Sequence, residues 1–366
     1  MNNHVSVLEI GLDSLEFNLN YFKSKLKNTT KTLAVVKAFG YGSNAIEISK
    51  FLADKVSYFA VAYLDEGIAL RKAGILNPIL VLHPVISNFK ELIEYQLEPT
   101  IYSFTLLNSF LTNAEKFSLN NYPIHIKFNT GLNRLGFDKS DVIKITKKLS
   151  NQHLVKVTSI FSHIAASEDL NERNFTLKQI NNFKSITSKF IENLGYTPIK
   201  HMLNTSGIIN YASEAQFDMV RLGIGLYGFG NDKKETSKLK NVLTLKSIIS
   251  QIHTIKKGES VGYNRAYKAN KTIKSATIPI GHADGISRNL GNKKGYVYIN
   301  NKKAQIIGNV CMDMIMVDVT DINCKEGDEV IIYKNQQHIV DLATKSHTIS
   351  YELITAISQR IKRVLK

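Results

Sequence analysis

Six polar residues sit at the ends of short apolar runs, where a folded chain can turn them toward one rim. Lys37 ends LAVV, Arg134 lies beyond IHIKF, His163 follows SIFS, Asn204 and Thr205 follow HML, and Arg221 stands at the end of DMV. Each has an ordinary reading: a lysine after a strand is usually solvated, a lone histidine is usually structural, and an arginine commonly pairs with a helix carboxylate. Their joint occurrence singles them out. The chain uses 39 lysines against 8 arginines, yet it places Arg134, Arg221 and Arg288 in the glycine-flanked segments NTGLNRLG, VRLGIGLYG and GHADGISR. Planar bidentate recognition explains why lysine is not used there. The glycines of RLGIGLYGFG can expose backbone N–H groups to an anion. A phosphate site of that kind, combined with an amine at the first run, reads as a phosphorylated aldehyde held as a Schiff base, that is, pyridoxal phosphate.

The elements that must position these residues are legible as a rhythm. Asp13 and Glu16 fit a capping box for a helix over 13–27. Eight apolar runs follow, TLAVV, VSYFAV, PILVL, LEPTI, IHIKF, VTSIF, IKHML and FDMVRL. Helix-patterned segments such as AIEISKFLAD and QINNFKSITSKFIENLG separate them. Strands alternating with helices pair in parallel, and eight such units match a closed (β/α)8 TIM-like barrel. An open doubly wound sheet is the competitor, but no G-x-G-x-x-G follows the first run. Beyond residue 235 a polar connector leads into alternating runs, LTLKSIISQI, KSATIPI, YVYINNKKAQII, MIMVDV and GDEVIIYK. Asn300-Asn301 reads as a hairpin turn, and ISYELITAISQRIKRVL as a helical tail. The expected division is a barrel over 11–235 and a mostly β domain over 236–366.

Composition narrows the class. With 366 residues, 43% of them hydrophobic, the chain can bury a large core. Two cysteines make no disulfide framework, and no apolar stretch suits a leader or a membrane span, so a soluble cytoplasmic protein without a membrane partner is expected. Net charge is +16, but it is spread without long basic blocks or interleaved aromatics, which argues against a nucleic-acid partner. No metal-ligand cluster is expected.

The motifs AVVKAFGYG, KFNTGLNRLGF, FSHIAASED, NTSG, MVRLGIGLYG, GHADGISR and GNVCMDMIMVDV occur in the order found in alanine racemases, which the chain resembles from Leu33 to Tyr351. The resemblance implies that Lys37 carries pyridoxal 5'-phosphate. It also implies that Tyr41, Thr205, Tyr351 and the backbone of Gly223 and Ile224 hold the phosphate. Asn204 belongs to the same cofactor site. Arg221 would face the pyridine nitrogen with His163 beside it, and Arg134 would lie at the phenolic oxygen and the substrate. Tyr263, Met312 and Asp313 of the second domain would complete the partner subunit's site in a homodimer, with residues 1–10 joining that domain. Read alone, Tyr263 is an ordinary strand aromatic and CMDMIMVD a buried strand. Lys127 matches a lysine that can be carbamylated. Departures are Asn129 for the usual Asp, His282 for Tyr and Asn309 for Arg, the last two near the substrate entrance.

The implied reaction interconverts L- and D-alanine and feeds peptidoglycan precursors. Inverting an α-carbon needs a proton acceptor on one face and a donor on the other, here Lys37 and Tyr263. Their unperturbed pKa values, ~10.4 and ~10, require nearby positive charge, for which His163 and Arg221 are the candidates. Two rivals share the cofactor motifs: a broader racemase active on serine, and a non-catalytic regulatory protein, which would lack the domain bearing Tyr263.

Overall fold

The computed structural model describes residues 4–150 and 152–366, so residues 1–3 of the expected N-terminal segment lie outside the described residues. A first strand, β1 (Val7–Ile10), precedes eight strands that close into a parallel barrel. These are β2 (Lys31–Val35), β3 (Tyr58–Val61), β4 (Ile79–Val81), β5 (Glu98–Ile101), β6 (Tyr122–Lys127), β7 (Val155–Phe161), β8 (Ile199–His201) and β9 (Met219–Leu222). Closure is made by β9 returning to β2, with Leu33 opposite Arg221. Each strand falls on one of the eight apolar runs. Every residue of β3, β4, β5 and β9 is buried, because the barrel interior covers one face and the helices the other.

The second half is antiparallel: β10 (Leu243–Ile248), β11 (Gln251–Ile255), β12 (Ser260–Val261), β13 (Tyr267–Lys268), β14 (Ile273–Ile278), β15 (Tyr296–Ile299), β16 (Lys302–Ile307), β17 (Ile315–Asp318) and β18 (Glu329–Tyr333), followed by β19 (Lys362–Leu365). Strand β10 alternates buried and half-buried residues, as a strand with one covered face does. Strands β12 and β13 pair with each other as a separate two-stranded sheet; the others form a nine-stranded sheet in which β1 lies between β10 and β19, tying the start of the chain to its end. Asn300 and Asn301 both take positive φ, 48° and 62°, the type I′ geometry that joins β15 to β16.

Four local expectations are corrected. The first helix spans Leu12–Lys23 with Gly11 at its N-cap, so Asp13 sits inside the first turn rather than capping it. The reason is the β1–β10 pairing, which delivers the chain at Gly11, whose N–H donates to Val242 O. The tail is helical only over Ser350–Thr355, and its end is extended because β1 offers it a parallel edge. CMDMIMVD is a strand only over Ile315–Asp318, with Met312 and Met314 exposed. Tyr263 is not a strand residue: it opens a short 3-10 turn, Tyr263–Arg265, between β12 and β13.

Candidate active site

A cavity of about 410 Å³ opens at the carboxyl ends of the barrel strands. Lys37, Tyr41, Lys127, Arg134, His163, Asn204, Thr205, Arg221, Gly223, Ile224 and Tyr351 all line it. Among the described residues no Asp or Glu lines this wall, so four cationic side chains face one space.

The segment carrying Lys37 is bent in an unusual way. Ala38, Phe39, Gly40, Tyr41 and Gly42 all have positive φ, from 52° to 81°, a single left-handed turn. Such a turn costs non-glycine residues roughly 1–2 kcal/mol each, so surrounding bonds must hold it. Gly40 N–H donates to Val36 O and Gly42 N–H to Ala38 O, both at 2.9 Å. Glu66 accepts the Ala38 N–H at 2.6 Å, and Arg363 Nη2 donates to Gly42 O at 2.7 Å. The turn reverses the chain within one residue of β2, placing Lys37 at the rim and Tyr41 inside it, where Tyr41 packs on Tyr227 with ring centroids 4.9 Å apart.

Electrostatics follow from the missing carboxylates. Burial, then Arg134, lowers the Lys37 pKa, opposed by Glu66. Burial and the cations Arg221, Arg134 and Lys37 bring Lys127 down to about 8. Arg221 is 4% exposed, and burial together with Arg134 brings it down to about 9, still protonated at neutral pH. Its Nη2 donates to Ser162 O, Met202 O and His163 Nδ1 at 2.7, 2.9 and 3.1 Å. Burial pushes Tyr351 up to about 12, so its phenol is a proton-bearing donor.

His163 cannot supply the positive charge expected of it. Burial, then Arg221 and the other cations, holds it well below the ordinary histidine value, so it is neutral and accepts from Arg221. Arg288 lies outside the cavity lining, in the turn Arg288–Leu290, and the planar bidentate pairing expected there is made instead by Arg360 on Asp284, at 2.6 and 3.0 Å. Asn129 is neutral and bonds within its own loop, so it supplies Lys127 with no counter-charge. Its amide oxygen accepts the N–H groups of Gly131 and Asn133, shaping the loop that presents Arg134.

Thr205 Oγ1 accepts the N–H groups of Gly223 and Gly225 at 3.3 and 3.2 Å, tying the glycine loop to the start of the helix Thr205–Ala215. Asn204 caps that helix through Gly207 N–H. Tyr263, Met312 and Asp313 are apart from this cavity and line a shallow surface with Cys311, Met314 and Met316. Tyr263 is 73% exposed. Asn309 Nδ2 donates to Tyr263 O at 3.2 Å, and Arg360 holds Asp313 at 2.6 Å. His282 N–H donates to Cys311 O, bracing the same surface. Sequence reasoning missed Glu66 and His201. The signal for Glu66 was an acid at the third position of the helix Leu64–Lys72; for His201 it was a histidine inside an apolar run.

The model of the alanine racemase N-terminal domain matches residues 10–230, and that of the C-terminal domain matches residues 242–365. The chain belongs to the alanine racemase family. It is therefore an amino-acid racemase, an isomerase, built as a closed parallel barrel with a second, mostly β part. Among relatives, the alanine racemase of Fusobacterium nucleatum is 38% identical over 98% of this chain and 99% of its own length. That of Halothermothrix orenii is 36% identical over 98% and 96%. The solved alanine racemase of Clostridium difficile superposes with a TM-score of 0.94 at 33% identity, covering 100% of this chain and 97% of that one. A second, from Bartonella henselae and described with covalently bound pyridoxal phosphate, gives 0.89 at 29% identity, covering 99% and 100%. Among the described residues no helix is long and apolar enough to cross a membrane.

Proposed function

We propose that the chain interconverts L- and D-alanine with pyridoxal 5'-phosphate, using Lys37 and the partner subunit's Tyr263 on opposite faces of the substrate. The observation that carries this is the cavity itself: an amine with a lowered pKa, several hydroxyl donors and three further cations, with no acid on the wall among the described residues. That donor set suits a group with a phosphate at one end and an aldehyde at the other. Gly223 supports the fit, because a Cβ there would stand 2.5 Å from Tyr41 Oη and displace a phenol from the phosphate end.

Tyr41, Thr205, Tyr351 and the backbone of Gly223 and Ile224 would hold the phosphate, with Asn204 fixing the helix start beside them. Arg221, braced by neutral His163, would donate to the ring nitrogen, and Arg134 would serve the phenolic oxygen and the substrate carboxylate. When bound, the cofactor supplies an electron sink that acidifies the α-hydrogen of the amino acid. The chain supplies the rest. Lys37, uncharged more readily than an exposed lysine, takes or returns a proton on one face. Tyr263, on an exposed turn distant from its own barrel cavity, is suited to reach a second subunit together with Met312 and Asp313. A homodimer with shared sites follows, with a barrel over 11–235 and a second domain over 236–366 plus 1–10. The proposed setting is the cytoplasm, with D-alanine passing to peptidoglycan precursors.

Mixing Lys37→Ala and Tyr263→Phe proteins tests the sharing. Random reassociation gives half heterodimers, each with one complete site, so about a quarter of wild-type racemisation returns. Two dead variants that stay dead when mixed place both residues in one subunit's site and refute the arrangement.

A further inference from the structure

Five polar side chains, one from each of five successive strands, cross the barrel interior in an unbroken line. Glu98 of β5 meets His125 of β6, with Oε2 and Nε2 2.6 Å apart. His125 Nδ1 meets Ser159 Oγ of β7 at 2.6 Å, and Ser159 Oγ meets His201 Nε2 of β8 at 2.9 Å. His201 Nδ1 then meets Arg221 Nη1 of β9 at 2.6 Å. All five are buried, and the three middle residues are wholly so. They stand on buried barrel strands, where a polar group must find a partner or lose roughly 1–3 kcal/mol.

The ends of the line dictate its direction. An arginine only donates, so His201 Nδ1 must be bare and its proton sits on Nε2. That proton goes to Ser159 Oγ. The single Ser159 hydroxyl proton then points to His125 Nδ1, and the His125 Nε2–H points to the Glu98 carboxylate, which only accepts. The two ends demand the same phase, and a hydroxyl in the middle is what lets two imidazoles carry it. Burial and Arg221 keep His201 uncharged, in agreement with this pattern. Phe161 stacks flat on His201 at 4.7 Å and lies 5.3 Å from the Arg221 guanidinium, which keeps ring and fork from turning out of line. Glu98 is also near Tyr58, Tyr122 and Arg71, the groups with which it interacts electrostatically.

We propose that Glu98, His125, Ser159 and His201 form a one-way hydrogen-bond relay that gives Arg221 a remote counter-charge and holds its guanidinium oriented at the pocket. These are positioning residues for the racemisation, so the inference rests on the cofactor reading above for its consequence, though not for its geometry. The bare His201 Nδ1 gives Arg221 Nη1 an acceptor at 2.6 Å that fixes one edge of the fork, and the rest of the line holds that imidazole in place. The carboxylate polarises the line from the far end, so Arg221 carries its charge in a dry interior without an acid at the cofactor.

Nitrogen-15 NMR of the cofactor-loaded enzyme, labelled at histidine, reads the pattern directly. His125 and His201 are each expected to show a bare Nδ1 and a protonated Nε2. Ser159→Ala should leave both histidines in that form, because Arg221 still donates to His201 and Glu98 still accepts from His125, while the line between them is cut. Glu98→Gln keeps an acceptor but removes the charge. Both variants are expected to lower kcat for alanine about tenfold with KM within twofold, in line with other losses behind a first contact shell. If Ser159→Ala does not fold, Glu98→Gln and the wild-type spectrum still decide. A protonated Nδ1 on either histidine in the wild type overturns the relay whatever the turnover. The expected tautomers with wild-type kcat in both variants overturn the positioning role. An enzyme that shows the tautomers but racemises nothing instead refutes the assigned reaction.

Discussion

Tyr41 Oη lies 2.5 Å from the point that a Cβ on Gly223 would occupy. The phenol comes from a left-handed turn after β2 and the glycine from the loop after β9, so the closure of the barrel brings them together. Gly223 has φ of −116°, and its want of a side chain is therefore about space for Tyr41.

Gly223→Ala is accordingly expected to fold and to retain pyridoxal phosphate poorly. Equilibrium dialysis should show a loss of affinity of tenfold or more, an energy of about 1.4 kcal/mol. Unchanged retention would show that the Tyr41 phenol does not contribute to holding the cofactor.

Tyr263→Phe removes one of the two proposed proton carriers and leaves the cavity lining intact, since Tyr263 is not part of it. A fall in kcat of roughly 10²–10⁴ is expected, the usual range for loss of a general acid or base. The visible absorption of the bound cofactor should persist. In deuterated water the variant should still exchange the α-hydrogen of one enantiomer and not the other. Exchange of both at wild-type rates contradicts the assignment of a face to each residue.

Lys127 is brought down to about 8 from 10.5, so between those values the unfolded chain binds more protons than the folded one. Stability therefore rises with pH across that window. Below about pH 8 the full cost of burying a cation beside Arg134, Arg221 and Lys37 is present, at most about 3 kcal/mol. In carbon dioxide-free buffer Lys127→Met should raise Tm at pH 7, and its advantage should shrink toward pH 10. The same low pKa leaves an uncharged amine available for carbon dioxide, and a carbamate there would face three cations. Labelled bicarbonate should give a carbamate carbon-13 signal that Lys127→Met abolishes; a signal that survives assigns it elsewhere.

Arg360 clamps the buried Asp284 with two bonds and Asp313 with a third, joining the turn after β14 to the segment that carries Met312. Arg360→Ala leaves Asp284 buried without its cation. Lower Tm and a raised KM for alanine are expected together, measured by calorimetry and steady-state kinetics. A Tm drop with KM unmoved separates Asp313 from substrate binding.

Much of this arrangement was legible in sequence because it is local. Apolar runs at regular intervals require parallel strands with helical returns, and the residue that ends each run must lie at the strand's carboxyl end. Lys37, His163, Asn204, Thr205 and Arg221 follow from that, Arg134 from its glycine-flanked segment beyond β6, and the left-handed turn at Lys37 is hinted at by its two glycines. Tyr351 and Tyr263 needed the resemblance, since nothing in their own neighbours marks them.

The chain's order of residues by itself determined the barrel, the rim chemistry and the family, because side-chain periodicity and strand ends are short-range properties. Only the tertiary structure decided that His163 is neutral, that Arg288 lies away from the cavity, and that Glu98 reaches Arg221 through His125, Ser159 and His201. Those outcomes depend on burial and on strand register, which bring residues 20 to 42 positions apart to hydrogen-bond distance. A proton's place on an imidazole is set by what stands across the barrel, and no spacing along the chain encodes it.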